Sequence, residues 1–133
     1  PSDAIPWSGG KALVATGIPV EPVSYQGTKF HIGQGNNALL YPGLGLGVIV
    51  SGARHVTDGM LLAAAQAVAG QVNPQELGAS LLPPVDNLRA SSATVAVAVA
   101  KQAVAEGVAT RQHDNWVQAV QDAMWQPAYP AAS

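Results

Sequence analysis

The chain contains no cysteine, which removes a disulfide framework, a thiol nucleophile and any thiolate-bound metal from consideration. Charge is nearly as scarce. Charged residues make up 11% of the 133, and six Lys and Arg against eight Asp and Glu leave a net charge of −2. No basic surplus exists to neutralise a phosphate backbone, so nucleic acid is not an expected partner. Aromatics amount to 5%, with a single phenylalanine, and alanine and valine dominate the apolar half. Such a composition suits helices brought close through small side chains. Long hydrophobic runs are missing too: the longest, Ala38–Val50, is broken by Pro42, Gly43, Gly45 and Gly47. A membrane helix needs ~20 apolar residues, so no span is expected, and no signal peptide is legible. A cysteine-free chain without a membrane segment fits a cytoplasmic protein. It opens on Pro1 in mid-pattern, as a processed or excised piece of a longer protein does.

The length is about one domain's worth. Pro1 to Gly10 reads as turns. Lys11 to Thr16 is a short apolar run closed by Gly17 and Pro19, which predicts a buried strand. Val23 to Ile32 predicts two short strands around Gln26-Gly27, a variant of the Asn-Gly hairpin signal. Helical signals dominate afterwards. Pro42 suits the first turn of a helix to about Ala53, and its apolar surface, nearly all round, predicts burial. Thr57 can cap a helix to about Gly70, with Asp58 near the positive end of its dipole. Asn73-Pro74-Gln75-Glu76 has the order of a capping box, opening a short helix before Pro83 and Pro84. Asp86 is expected to cap a long segment ending near Gly107. Within it TVAVAVA alternates as a strand does, yet alanine's helix propensity and the segment's length predict a helix with Val95 and Val99 on one face. Asp114 is expected to cap a last helix from Asn115 to Trp125, ended by Pro127 and Pro130.

The run His31–Gly47, HIGQGNNALLYPGLGLG, carries the strongest functional signal. Its adjacent carboxamides, Asn36 and Asn37, can hold a carboxylate or pair with a nicotinamide carboxamide without adding charge. Ahead of the Pro42 helix they would share an anion site with its dipole. The same residues are also ordinary turn formers, and pattern alone leaves both readings open. The glycines of Gly43-Leu44-Gly45-Leu46-Gly47 do not make a dinucleotide loop: they are spaced GxGxG inside an apolar helix, not GxGxxG after a strand. Close approach of a neighbouring helix accounts for them better. Ala15-Thr16-Gly17-Ile18-Pro19 ends a strand, either as a plain exit or at the carboxyl edge of a parallel sheet, where α/β proteins place ligands. His31, His55 and His113 are scattered without metal-ligand spacing, and neither Ser8 nor Ser51 sits in a GxSxG elbow.

Four collinear blocks, KALVATGIPVEPVSYQG, HIGQGNN, YPGLGLGVIVSGARHVTDGMLLAAA and LLPPVDNLR, resemble the C-terminal third of malic enzymes. The resemblance runs from about Pro1 to Tyr129 and is strongest to bacterial NAD-type malic enzymes and the related malolactic enzymes. It implies an α/β fold. Residues 1–37 would end a Rossmann-like NAD(P)-binding domain, and residues 38–133 would form a helical C-terminal segment packed on the substrate domain. It also implies oxidative decarboxylation of L-malate to pyruvate and CO2, with NAD or NADP and a divalent metal, Mg or Mn, in the intact homo-oligomeric enzyme. Carried over residue by residue, substrate contact falls on Asn37 and Asn36. Cofactor contact falls on Asn37, Asn36, Thr16, Gly17 and Ala15. No catalytic or metal-binding residue is expected here.

The family's catalytic tyrosine and lysine, metal-binding carboxylates, substrate arginine and glycine-rich nucleotide loop lie upstream of this segment, as does its SNP motif. The chain is accordingly expected to be an inactive piece of the enzyme, exposing an apolar face through which it self-associates. A malolactic enzyme fragment is the alternative within the family. A free-standing, non-catalytic helical binding module is the alternative outside it.

Overall fold

Residues 1–126 are described in a computed structural model of the chain. Residues 1–10, expected as turns, contain a one-turn helix α1 (Ala4–Trp7) because Ile5 finds a buried place, 1% exposed. The Ser8 hydroxyl ties its end, donating to the Ile5 carbonyl and accepting from Ala12 N–H. The predicted buried strand over Lys11–Thr16 shrinks to β1 (Ala15–Thr16), and it is only half-buried. Among the described residues it has one partner, β4 (Gly33–Gln34), in parallel register with Ala15 opposite Gly33 and Thr16 opposite Gln34. A parallel strand is buried only when neighbours cover both its edges and faces, and here one edge is filled.

Between them β2 (Val23–Tyr25) and β3 (Thr28–Phe30) form the expected hairpin, with Tyr25 opposite Thr28. Gln26 and Gly27 both take positive φ, +48° and +79°, the handedness that matches strand twist across a two-residue turn. Phe30 is buried. A 3₁₀ turn (Asn37–Leu39) then leads into the helices: α2 (Tyr41–Ser51), α3 (Asp58–Ala69), α4 (Leu88–Ala105) and α5 (Trp116–Ala123). The arrangement is α/β, a parallel strand pair and a hairpin followed by a mainly helical segment.

The helical core is built around α4, whose Val95 and Val99 are fully buried on one face as expected. The strand-like alternation of TVAVAVA loses to helix because helical spacing puts Val95, Val99 and Ala103 on one stripe facing α2 and α3. Burying each such valine or Met60 contributes about 1.5–3 kcal/mol. Thr57 caps α3 as expected, its Oγ1 accepting from Met60 N–H at 3.1 Å. Helix α2 starts with Pro42 in its first turn and stops at Gly52, in left-handed conformation at φ +60°.

Three expected caps are corrected. The Asn73–Glu76 box closes a turn, with Asn73 Oδ1 accepting from Gln75 N–H and its amide donating to Glu76, but no helix follows. Gly78, at φ +81°, instead turns the chain so tightly against the Lys29 carbonyl that no side chain would fit. Asp86 does not cap α4. It lies in a 3₁₀ turn (Val85–Asn87) that follows extended Pro84, and Asn87 precedes the helix without a side-chain cap. Asp114 yields to its neighbour Asn115, whose Oδ1 accepts from Gln118 N–H. The burial expected all round α2 is one-sided: Gly43, Leu44, Gly47 and Val50 are buried, but Tyr41 and Ile49 are 60% and 64% exposed. Pro127, Pro130 and the Tyr129 limit of the resemblance lie outside the described residues.

Candidate functional site

Parallel strands end side by side, so residues far apart in sequence meet at their carboxyl edge. Here that edge joins the two segments singled out above. Thr16 closes β1 and Gln34 closes β4, and the Thr16 carbonyl accepts from Gly35 N–H at 2.8 Å. Gly17 leaves one strand while Gly35 and then the asparagine pair leave the other. Ala15 and Thr16 are half-buried within the strand, whereas Gly17 is exposed with open space where a Cβ would stand. The Thr16 hydroxyl turns back to the Ile18 carbonyl at 2.9 Å, which fixes the strand exit. The region beyond the carboxyl ends of parallel strands is the ordinary ligand position of α/β sheets.

The two carboxamides differ in what they can still do. Asn36, half-buried and extended at φ −109°, ψ 130°, caps the 3₁₀ turn: its Oδ1 accepts from Ala38 N–H at 2.9 Å. One acceptor position of its oxygen is taken, and among the described residues its amide nitrogen has no hydrogen-bond partner. Asn37 is exposed, and among the described residues its carboxamide makes no internal hydrogen bond, so it can donate and accept. The 3₁₀ turn separates the pair from α2 by Leu40, whose carbonyl accepts from Leu44 N–H. The expected sharing of the α2 dipole is therefore corrected: the pair stands at the start of the 3₁₀ turn, a full turn away from α2's own first N–H groups.

The glycines of α2 are accounted for by packing at two of three positions. A Cβ at Gly43 would fall 2.6 Å from Val95 Cβ and 2.7 Å from the Ser92 carbonyl. One at Gly47 would fall 2.7 Å from Val99 Cβ and 2.8 Å from the Ala96 carbonyl. Helix α4 occupies the space a phosphate would need, so these glycines cradle no nucleotide. Gly45 faces the other way, with nothing within 4 Å.

The remaining singled-out residues stay structural. Ser51 is buried, its hydroxyl donating to the Gly47 carbonyl at 2.8 Å. His31 is exposed on the stretch between β3 and β4, and its backbone N–H donates to the Gly78 carbonyl. The His113 ring stacks edge-on against Trp116, with Nε2 3.2 Å from the Val50 carbonyl, joining α2 to α5. Among the described residues no group of three His, Asp or Glu is placed to hold a metal ion. Among the described residues no helix is long and apolar enough to cross a membrane.

One charged residue with a defined job escaped the sequence. Glu106 ends α4 beside the start of α3, and its carboxyl is held below the ordinary glutamate range, first by the Thr57 hydroxyl and then by the Gln102 amide. It occupies the space a Gly59 side chain would fill. Only Thr57 signalled this locally, as a cap; its carboxylate partner comes from a distant helix. A cleft of about 730 Å³ lies between the β4 region and residues 71–86; of the polar groups that line it, Gln71 bonds to Ser91 and to the Ala67 carbonyl, and Ser80 to Leu82.

Comparison with known proteins gives a consistent result. The family model "Malic enzyme, NAD binding domain" matches residues 1–104. The chain is 57% identical over 129 residues to NAD-dependent malic enzyme 3 of Bacillus subtilis, covering 97% of this chain and 23% of that protein. It is 48% identical to the malolactic enzyme of Leuconostoc mesenteroides, covering 96% and 23%. The crystal structure of malic enzyme from Pyrococcus horikoshii superposes with a TM-score of 0.67 at 32% identity, over 84% of this chain and 23% of that one. The chain thus spans about a quarter of the length of these relatives. The chain therefore belongs to the malic enzyme family, whose NAD-binding-domain model takes in the strand edge, the asparagine pair and most of the helical region.

Proposed function

We propose that the chain works as the C-terminal part of an NAD(P)-dependent malic enzyme, which oxidises L-malate and decarboxylates it to pyruvate and CO2. Alone it is inactive. The carrying observation is that the segments bearing Thr16-Gly17 and Asn36-Asn37 leave adjacent parallel strands at one edge, with the Asn37 carboxamide free of internal bonds among the described residues and the Asn36 amide nitrogen unpaired. The unpaired amide N–H groups of Asn36 suit a malate carboxylate. The exposed Asn37 suits partners that need both a donor and an acceptor, a nicotinamide carboxamide or the malate itself. Ala15, Thr16 and Gly17 would line the nicotinamide side, with Gly17 allowing close approach. Bound NAD(P) would take the hydride; these residues orient it and the malate against each other.

The residues present fit only that wall of the cofactor site. No glycine-rich loop free to hold a pyrophosphate exists among the described residues, since α4 fills the space beside Gly43 and Gly47. The acidic residues do not assemble a ligand set, so Mg or Mn would be held by the rest of the longer polypeptide. Homo-oligomeric assembly and a cytoplasmic location belong to the same proposal.

The test is Asn37→Ala in the full-length enzyme. We expect kcat/KM for malate to fall by ~10²–10³, the loss typical of one polar group that acts in a transition state. Unchanged kinetics would overturn the assignment. The likeness to the Leuconostoc malolactic enzyme favours one second reading, a malolactic fragment. Net NADH formation from malate by the full-length protein separates the two.

A further inference from the structure

Gly33 is buried in β4, and its own backbone does not call for a glycine. Its φ lies outside the left-handed region, so the strand there could carry a side chain. A glycine inside a strand then marks a place where another part of the chain comes close. That neighbour is the connection between α3 and α4. A Cβ on Gly33 would stand 3.0 Å from the Leu82 backbone nitrogen, 3.0 Å from Ser80 Oγ and 3.2 Å from Leu82 Cβ.

Residues 78–82 lie along this stretch as a strap with two further fixed points. At one end the Gly78 carbonyl accepts from His31 N–H at 3.0 Å, and Gly78 itself fits against the Lys29 carbonyl only because it has no side chain. In the middle the half-buried Ser80 folds back on Leu82. Its hydroxyl donates to the Leu82 carbonyl at 2.7 Å and accepts from the Leu82 N–H at 3.3 Å. These two bonds hold the bend that sets Ser80 and Leu82 against Gly33. The Leu82 side chain packs on the helical core cluster that also buries Leu39.

Asn36 and Asn37 sit between anchors that share this strap. Upstream, Gly33 meets the strap and also donates its N–H to the Val14 carbonyl beside β1 at 2.9 Å. Downstream, Leu39 is buried in the core that Leu82 touches. The carboxamides ride on the short span between, so a shift at Gly33 is passed on to them. A displacement of about 1 Å in a group that orients a substrate can cost ~10²-fold in rate. We propose that Ser80 is a positioning residue for the reaction: the bend it closes on Leu82 seats the strap on Gly33 and thereby fixes where Asn36 and Asn37 stand. The kinetic part of this rests on the reading of the chain as part of a malic enzyme.

The experiment uses the full-length protein. Ser80→Ala lowers kcat for malate about tenfold or more, with a smaller change in KM. Ser80→Thr keeps the hydroxyl and retains most of the wild-type kcat. Gly33→Ala drives a methyl group against Ser80 and Leu82 and lowers kcat at least as much as Ser80→Ala. A Ser80→Ala protein that loses Tm while kcat per folded enzyme stays unchanged overturns the proposal. So do equal losses in the Ala and Thr variants, or an unchanged kcat in Gly33→Ala. A second measurement needs no turnover. The N–H groups of Gly33, Gly35, Asn36 and Leu39 are all bonded within the chain. In Ser80→Ala and Gly33→Ala their hydrogen exchange speeds up about tenfold or more relative to the amides of α4; unchanged relative exchange overturns the proposal. Malate-dependent NAD reduction by the unmodified protein is measured in parallel. Its absence defeats the malic enzyme reading, while the exchange still reports on the strap by itself.

Discussion

The strand region and the helical region of this chain solve the same burial problem with very different completeness. From residue 38 onward, α4 is wrapped by α2, α3 and α5, and its Val95, Ala96, Val99, Ala100 and Ala103 are fully buried. In the first 37 residues only Ile5 and Phe30 are buried apolar side chains. The parallel pair is two residues long, and among the described residues β1 has a partner on one edge only. Helices satisfy their backbone internally and need only a partner for one stripe, which a single chain can supply. Parallel strands need neighbours brought from elsewhere in the sequence. The candidate site falls in the less complete region, at the one place where that sheet presents two carboxyl ends together.

Perturbing each region should therefore give different readouts. The largest effect on stability is expected in the helical region. Gly47→Ala drives a methyl group into Val99 and the Ala96 carbonyl, and overpacking of this kind costs about 1–3 kcal/mol. Thermal or urea unfolding checks it, and a Tm equal to wild type would mean that α2 and α4 are not packed through that glycine. Thr57→Ala should cost about 1 kcal/mol through loss of the α3 cap, read by the same unfolding curves. In the strand region the two asparagines should separate stability from function. Asn36→Ala removes a capping oxygen and is expected to cost about 0.5–2 kcal/mol as well as activity. Asn37→Ala should leave the unfolding free energy within about 0.5 kcal/mol of wild type, as for exposed positions with no internal partner, while activity collapses. Equal destabilisation by both would erase the distinction drawn between them.

The smallest effect is at Glu106, and its sign follows from linkage. Folding lowers this carboxyl's pKa, so the ionised form contributes stability above the ordinary glutamate range and loses it as pH falls through the lowered value. Glu106→Gln should therefore be slightly less stable than wild type near neutral pH, and the two should converge in acid. Stability curves against pH for the two proteins test this, and a difference that grows in acid would contradict it. The group is fully exposed, so salt should shrink the effect.

Much of the local structure was legible because it depends on neighbouring residues. The Gln26-Gly27 turn, the Thr57 cap and the Pro42 start of α2 each work through contacts a few residues long. The failures share a different cause. At Asn73 the capping order was real and the turn formed, but Gly78 had to meet the Lys29 backbone, and that long-range contact ended the helix before it began. At Asp114 and Asn115 two adjacent residues were both good caps, and the placement of Trp116 against the α2–α4 surface chose between them. The one-sided burial of α2 was illegible for the same reason: an apolar helix does not specify which of its faces finds a partner.

The candidate site divides along that line. Residue types and spacing set out the asparagine pair and the Thr-Gly strand exit as candidates, and four collinear blocks carried the resemblance to the family, because side-chain chemistry and motif order are properties of sequence. That Thr16 lies opposite Gln34, that Asn36 uses its oxygen as a cap while Asn37 does not, and that two of three glycines in α2 serve α4, were decided only by the packed chain. Strand pairing and close helix approach join residues many positions apart. Their free energy depends on which surfaces meet, and no local signal carries that.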